Sequence, residues 1–135
     1  MPSPPARPLP VPTPETRHFW EGTAAGELRL QRCRACERAY FPPQPFCPRC
    51  TGTDVEVVRA TGRGSLHSYV INHRPAPGFE APYVIAVVEL EEGPRLLSNL
   101  VGVAADPDAL PIDLPVVVAF EAVGDVTLPL FRPQP

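Results

Sequence analysis

Four cysteines form two closely spaced pairs in the first half of this 135-residue chain. Cys33 and Cys36 make one Cys-x-x-Cys pair, Cys47 and Cys50 make the other, and ten residues separate the pairs. Two such knuckles can direct four thiolates at one point and complete a tetrahedral cage for zinc. Because the protein then fills all four ligand positions, we predict a structural Zn²⁺ ion rather than a catalytic one.

The same cysteines have other conceivable uses, namely a redox dithiol, two disulfides or an iron site. A thioredoxin-like dithiol belongs to a βαβ pattern, which the sequence lacks. We expect the chain in the cytoplasm, where disulfides are rare, because it shows neither a secretory signal nor the roughly 20 apolar residues of a membrane span. Zinc, ahead of iron, is therefore the expected metal, and no cysteine is left as a nucleophile.

The residues before the cysteines predict an arm and a short helix. Residues 1–13, MPSPPARPLPVPT, are rich in proline and predict a disordered arm that does not pack on the body. Thr13 can then cap a helix over 14–26, because a proline follows at its first position and a glycine ends it. The helix carries Phe19 and Trp20, whose rings we expect to pack against the same chain.

After the cysteines, the pattern changes to short segments typical of strands. They are rich in β-branched or aromatic residues and bounded by turn formers, and they span 55–60, 65–73, 83–90, 95–101 and 116–122. Short strands without a long helical period favour a small β-barrel, of which the OB type is the closest fit. We therefore predict a mainly β protein, with the short N-terminal helix, a zinc ribbon over 27–54 and a C-terminal OB-fold barrel over 55–133.

Charge is divided unevenly between these parts. Residues 29–63 carry seven arginines and three acids, a formal +4, whereas residues 64–135 carry three arginines and nine acids, a formal −6. A tetrathiolate zinc site carries −2, so part of the ribbon's charge can offset the metal site, and the remaining charge of about +2 can attract an anion. The arginines nearest the cysteines are Arg32, Arg34, Arg38 and Arg49.

The order of these features resembles a family of acyl-CoA-associated proteins long labelled domain of unknown function thirty-five. Its members combine an N-terminal helix, a rubredoxin-like zinc ribbon and a C-terminal OB-fold. The resemblance spans about residues 15–133. The segments that carry it are FWEGTAAGELRLQRCRACERAYFPPQPFCPRC at 19–50, GRGSLHSYVINHRPAPGFEAPYVIAVVELEEGPRLLSNLVG at 62–102 and PVVVAFEAVGDVTLPLFRP at 115–133.

The resemblance implies a non-catalytic accessory subunit. Such proteins look like partners of thiolase-like enzymes, including acetyltransferases and steroid side-chain aldolases, and some assemble with MaoC-type enoyl-CoA hydratases. Their implied contribution is to scaffold these partners and to help hold or pass an acyl-CoA thioester. The family's zinc ligands correspond here to Cys33, Cys36, Cys47 and Cys50.

A CoA thioester as shared ligand would bring phosphates and an adenine ring, which arginines and aromatic side chains can bind. Phe79 is of most interest, because it is a lone large apolar residue in a loop rich in Pro and Gly. The alternative is that this loop folds back and buries the ring locally. The candidate contacts are Arg38, Tyr40 and Phe41 in the ribbon, and His73, Arg74 and Phe79 in the loop HRPAPGFEAP.

Two other functional classes remain as alternatives. Zinc ribbons and OB barrels also bind single-stranded nucleic acid, but the net charge of −3 and the acidic barrel argue against that function. An enzyme with His73 as acid or base has the weakest support, since no G-x-S-x-G segment or Gly-rich phosphate loop is present.

Overall fold

The computed structural model describes residues 7–135, and these residues form mainly strands. A short helix, α1 (Arg17–Ala24), precedes eight strands, and a single 3-10 turn lies at Pro107–Ala109. The strands form a three-stranded sheet and a closed five-stranded barrel. The predicted fold class, a short helix followed by a ribbon and an OB-type barrel, is confirmed.

Helix α1 begins later than its expected cap at Thr13. The backbone N–H of Thr13 donates to Oγ1 of Thr16 at 2.9 Å, and the N–H of Thr16 donates to the Thr13 carbonyl at 3.1 Å. These bonds close a turn before the helix, so Thr16 takes the N-cap position instead. The predicted stop is seen, because Gly26 follows the helix with φ at +77°, a left-handed conformation that glycine adopts without a steric penalty.

The ribbon sheet contains β1 (Arg29–Cys33), β2 (Arg38–Tyr40) and β3 (Val55–Arg59), in the order β2-β1-β3. All its neighbours are antiparallel. The sequence analysis begins the barrel at residue 55, but the segment there pairs with β1, with Cys33 opposite Val55. The chain therefore enters the barrel only after β3, because β1 offers the free edge that this strand completes.

The barrel contains β4 (Arg63–Asn72), β5 (Tyr83–Leu90), β6 (Arg95–Leu100), β7 (Pro115–Val123) and β8 (Val126–Pro133). The closed order is β4-β5-β6-β8-β7, with β7 pairing back onto β4. The first four lie where the sequence predicts strands. β8 was not predicted, because Pro129 and Pro133 interrupt its apolar run and proline is uncommon in central strands.

One apolar core joins the barrel to the ribbon and the helix. Inside the barrel, Leu66, Val88 and Phe131 are fully buried. Leu28 and Phe19, from outside the barrel, belong to the same cluster and are also buried. The helix and the near end of the ribbon are therefore held on the barrel by continuous hydrophobic contact.

The predicted N-terminal arm is described only in part, since residues 1–6 lie outside the described residues. Residues 7–13 contain neither helix nor strand. The structure nevertheless differs from the expected unpacked arm, because the Arg7 guanidinium lies over the Phe79 ring, 4.2 Å from its centroid. Stacking of this kind allows a cation to pack against an apolar ring. Within residues 7–135, no helix has the length and apolarity needed to span a membrane.

Candidate metal centre

The four cysteine sulfurs converge on one point. All four Sγ atoms lie within 4.8 Å of one another, with 3.7 Å between Cys33 and Cys50 and 3.9 Å between Cys36 and Cys47. A zinc ion bound tetrahedrally at about 2.3 Å from each sulfur would set sulfur–sulfur distances of about 3.8 Å. The donor set and its spacing therefore fit a structural Zn²⁺ site with four thiolate ligands.

Each knuckle turns through a residue in a left-handed conformation. Glu37 follows the first pair with φ at +57°, and Thr51 follows the second with φ at +61°. Glycine is the residue that usually occupies this conformation, which costs other residues roughly 1–2 kcal/mol. Both knuckles therefore contain a residue in a conformation that is unfavourable for its type. Metal binding would offset this conformational free energy.

Backbone N–H groups point at three of the sulfurs. Cys36, Arg49 and Gly52 donate to the Sγ atoms of Cys33, Cys47 and Cys50, each at 3.4 Å. Such bonds stabilise a thiolate relative to the neutral thiol.

The four thiol groups shift one another's pKa values. Backbone hydrogen bonds from Cys50 and then Arg49 lower the pKa of Cys47 to about 7, against the opposing effect of burial. The sulfur of Cys50, together with desolvation and the other sulfurs, raises the pKa of Cys36 to about 12. Four thiolates so close together therefore require a cation to neutralise them.

The arginines near the cage differ in their pairing. Arg34 contacts Asp54 at 2.7 Å and Glu56 at 3.2 Å, and Arg32 contacts Glu56 at 3.3 Å. Part of the ribbon's positive charge is therefore neutralised by its own acids rather than by the thiolates. Arg38 and Arg49 are exposed, and neither lies within 4 Å of an acidic group in the described part of the chain.

Two of the candidate contacts in the ribbon are structural. Tyr40 is 8% exposed, and its hydroxyl donates to the carbonyl of Gln44 at 2.8 Å. The N–H of Gln44 donates to the side-chain oxygen of Gln31 at 2.6 Å, so the proline-rich link between the knuckles is braced from both sides. Phe41 packs against Phe19 with ring centroids 5.2 Å apart. Tyr40 thus stabilises the ribbon internally, whereas Phe41 holds the ribbon onto the body.

Phe79 packs against two side chains and is half-buried. Its centroid lies 4.7 Å from that of Tyr83, with the rings nearly parallel, and the Arg7 guanidinium lies over the ring at 4.2 Å. The loop therefore folds back against the body, but the Phe79 ring is not fully buried. Arg7 was missed, because nothing in its proline-rich surroundings signals a packed side chain.

The other two candidates in this loop, His73 and Arg74, are exposed. The backbone N–H of Arg74 donates to Asn72 Oδ1 at 3.0 Å, which closes the end of β4. β4 ends at Asn72, before His73, and its register shifts between Leu66 and Ser68. This bulge breaks the alternation of strand faces at His67.

A groove joins the ribbon to the barrel. It has a volume of about 500 Å³ and lies between β2, the second knuckle and the turn that connects β5 to β6. Arg38 lines it from the ribbon together with Arg49, which the sequence analysis considered only as compensation for the metal charge. The barrel contributes Glu92. No local pattern indicates that these residues line one groove, because Glu92 is more than forty residues from either arginine in the sequence.

Comparison with known proteins matches the two parts of the chain to two family models. The first, described as ChsH2, rubredoxin-like zinc ribbon domain, matches residues 20–56. The second, described as ChsH2, C-terminal OB-fold domain, matches residues 57–121.

Curated relatives include longer proteins and one of similar size. The chain is 45% identical to a probable enoyl-CoA hydratase alpha subunit of Thermomonospora curvata, over 94% of this chain and 40% of that protein. It is 39% identical to the 3-oxo-4,17-pregnadiene-20-carboxyl-CoA hydratase alpha subunit of Mycobacterium tuberculosis, over 89% and 38%. A DUF35 domain-containing scaffold protein of Methanothermobacter thermautotrophicus is 38% identical, over 73% and 74%. The chain thus spans about two fifths of the length of the two hydratase subunits.

Among solved structures, a chain of an Ltp2-ChsH2(DUF35) aldolase is similar over nearly its whole length. The TM-score is 0.82 and the identity 44%, covering 93% of this chain and 98% of that one. Helix, ribbon and barrel are therefore shared as one arrangement and not only as separate parts.

Proposed function

This chain belongs to the ChsH2 family of zinc-ribbon and OB-fold proteins, also known as DUF35, and we propose that it is a non-catalytic subunit of an acyl-CoA-processing complex. Its partner would be a thiolase-like enzyme, most specifically an aldolase. The likeness to a chain of an Ltp2-ChsH2(DUF35) aldolase, at 44% identity over 98% of that chain, carries this proposal.

The chemistry of the described residues supports a non-catalytic role. All four cysteines converge in one cage, so zinc binding would leave none of them as a nucleophile. With four protein ligands, the metal would have no open position at which to activate water or polarise a carbonyl. The contribution of this chain would then be to hold a partner and to help bind or pass an acyl-CoA thioester.

A steroid side chain is the substrate we propose for the complex. The support is the relative from Mycobacterium tuberculosis, whose name specifies a pregnadiene carboxyl-CoA. Because this chain spans only two fifths of that protein, the hydratase activity in the relative's name is not assigned to this chain from the similarity alone. The two hydratase names also support a second assembly, with a MaoC-type enoyl-CoA hydratase.

The direct test is co-expression of this chain with the thiolase-like protein that we expect a neighbouring gene to encode. We expect one complex in size-exclusion chromatography, and aldolase or thiolase activity that is higher in the complex than in the partner alone. The control is the variant Cys33→Ser/Cys36→Ser, which removes half of the zinc ligands.

Two results would contradict the proposal. If the two proteins elute separately and the partner is equally soluble and active alone, this chain is not its subunit. If the isolated, zinc-loaded chain turns over acyl-CoA by itself, its role is not purely accessory. Co-expression of this chain with a MaoC-type hydratase, followed by the same chromatography and activity assay, tests the second assembly.

A further inference from the structure

The groove between ribbon and barrel brings together charges that the described chain leaves without partners. Arg38 projects from β2, and Arg49 lies within the second knuckle, two residues after Cys47. Both side chains are exposed and line the groove. Most other arginines near the ribbon have an acid within 4 Å, such as Glu27 for Arg59. These two thus form the local excess of positive charge.

The barrel side of the groove holds an unsatisfied acceptor. Glu92 Oε2 accepts the backbone N–H of Thr61 at 3.0 Å, which fixes the carboxylate in place. Its other oxygen, Oε1, is buried and has no hydrogen-bond partner within the described residues. The Glu92 carboxylate is therefore part of the groove wall, and this oxygen is not accessible to an occupant of the groove.

We propose that this groove receives an acidic segment of the partner enzyme. Carboxylates of that segment would bind the exposed guanidinium groups of Arg38 and Arg49. The inference rests on the proposed function, because it assigns an interface to the accessory subunit.

A polypeptide fits the groove better than a small anion. Arg38 and Arg49 come from separate parts of the ribbon, β2 and the second knuckle. Two carboxylates carried by one peptide can each bind one of these guanidinium groups at the same time. The groove also lies open at the surface between two parts of the fold, where a segment of another protein can enter.

The zinc site would support this interface directly. Arg49 lies between Cys47 and Cys50, and its backbone N–H donates to Cys47 Sγ at 3.4 Å. The position of its side chain therefore depends on the knuckle being folded. We expect partner binding to require the metal for this reason.

The test measures the affinity of the zinc-loaded chain for the neighbouring thiolase-like protein by isothermal titration calorimetry. The double variant Arg38→Glu/Arg49→Glu should bind about tenfold more weakly or worse, because charge reversal places like charges across the interface. Arg132→Glu/Arg17→Glu is the matched control, with the same change in charge on exposed residues that do not line the groove. We expect its affinity to stay within about twofold of wild type. Zinc content and the thermal midpoint should match wild type in both variants.

A second set of measurements distinguishes a peptide from a small anion as the occupant of the groove. Wild-type affinity should fall as NaCl is raised from about 50 to 300 mM, and the groove variant should respond less steeply. CoA and inorganic phosphate should bind equally weakly to wild type and to the groove variant.

Four outcomes overturn the inference. Equal partner affinity for wild type and the groove variant shows that the interface lies elsewhere, while the proposed function stands. An equal loss of partner affinity in the control variant Arg132→Glu/Arg17→Glu shows a general effect of net charge. Loss of CoA or phosphate binding in the groove variant, with partner affinity retained, shows an anion site instead. Absence of partner binding by wild type removes the proposed function and the inference together.

Discussion

Some residues in this chain have an energetically unfavourable conformation or environment, which the rest of the structure must offset. Thr51 has a branched Cβ but adopts a left-handed conformation, and Glu92 keeps an unpartnered buried oxygen. Both lie beside a place where something else is expected to bind, zinc in one case and a partner in the other. Locally unfavourable residues of this kind are typical of functional sites.

His18 makes the stability of the protein depend on pH. It lies on α1, and its Nε2 atom is buried without a hydrogen-bond partner in the described part of the chain. Burial lowers its pKa below the usual value of 6.5, and Arg29 acts in the same direction. The unfolded chain therefore binds the proton first, so the folded state loses stability as the pH falls below about 6.5.

We expect His18→Gln to reduce this loss. The free energy of unfolding should be measured with urea at pH 7.5 and 5.5, and wild type should lose more stability over this range than the variant, because glutamine binds no proton in either state. His73→Gln, which changes an exposed histidine, should keep the wild-type dependence. Identical pH dependence in wild type and His18→Gln would show that His18 has the same proton affinity in both states.

At the scale of elements, α1 is the part that fastens the ribbon to the barrel. Phe19 is 3% exposed and lies between Trp20, at 4.9 Å between ring centroids, and Phe41 of the ribbon. An eight-residue helix is too short to be stable alone, so it depends on this packing. The helix therefore exists because its aromatic side is buried.

We expect Phe19→Ala to release the helix. Loss of a buried phenylalanine costs roughly 3–5 kcal/mol. Trp20 is the only tryptophan in the chain, so its fluorescence reports the docking of α1, and its emission should shift to longer wavelength. Glu21→Ala, on the exposed side of the same helix, is the control. Unchanged emission and an unchanged urea midpoint in Phe19→Ala would mean that the helix is held by other contacts.

At the scale of the whole molecule, two kinds of stabilisation are combined. The barrel has its own apolar core, with Leu66, Val116 and Phe131 fully buried. The far end of the ribbon, from the first knuckle to the second, has the metal cage instead. The two ends of the ribbon therefore depend on different interactions, hydrophobic burial near the barrel and metal binding away from it.

We expect chelation to unfold the ribbon and spare the barrel. After removal of zinc, hydrogen exchange followed by mass spectrometry should show lost protection over residues 33–55 and retained protection over most of 63–133. Metal binding energy is folding energy in such sites, whereas no cysteine belongs to the barrel. Adding Zn²⁺ back should restore the original pattern. Loss of protection throughout would show that the chain folds as one cooperative unit, and no change would show that the cage is not needed for the fold.

The amino-acid sequence alone determined the features that depend on local pattern. The spacing of Cys33, Cys36, Cys47 and Cys50 predicted the cage, and a run of β-branched and aromatic residues between turn formers predicted β5 at Tyr83–Leu90 with its limits as observed. Both signals lie within a short stretch of chain, so neighbouring residues suffice to reveal them.

Tertiary structure decided what depends on distant partners. β3 joined the ribbon because β1 offered a free edge, Arg7 packed over Phe79 from far along the chain, and Glu92 came to line one groove with the arginines of the ribbon. The residues in each case are far apart in the sequence, so no local pattern indicates that they lie together. The tertiary fold determines these contacts, because it sets which surfaces lie side by side.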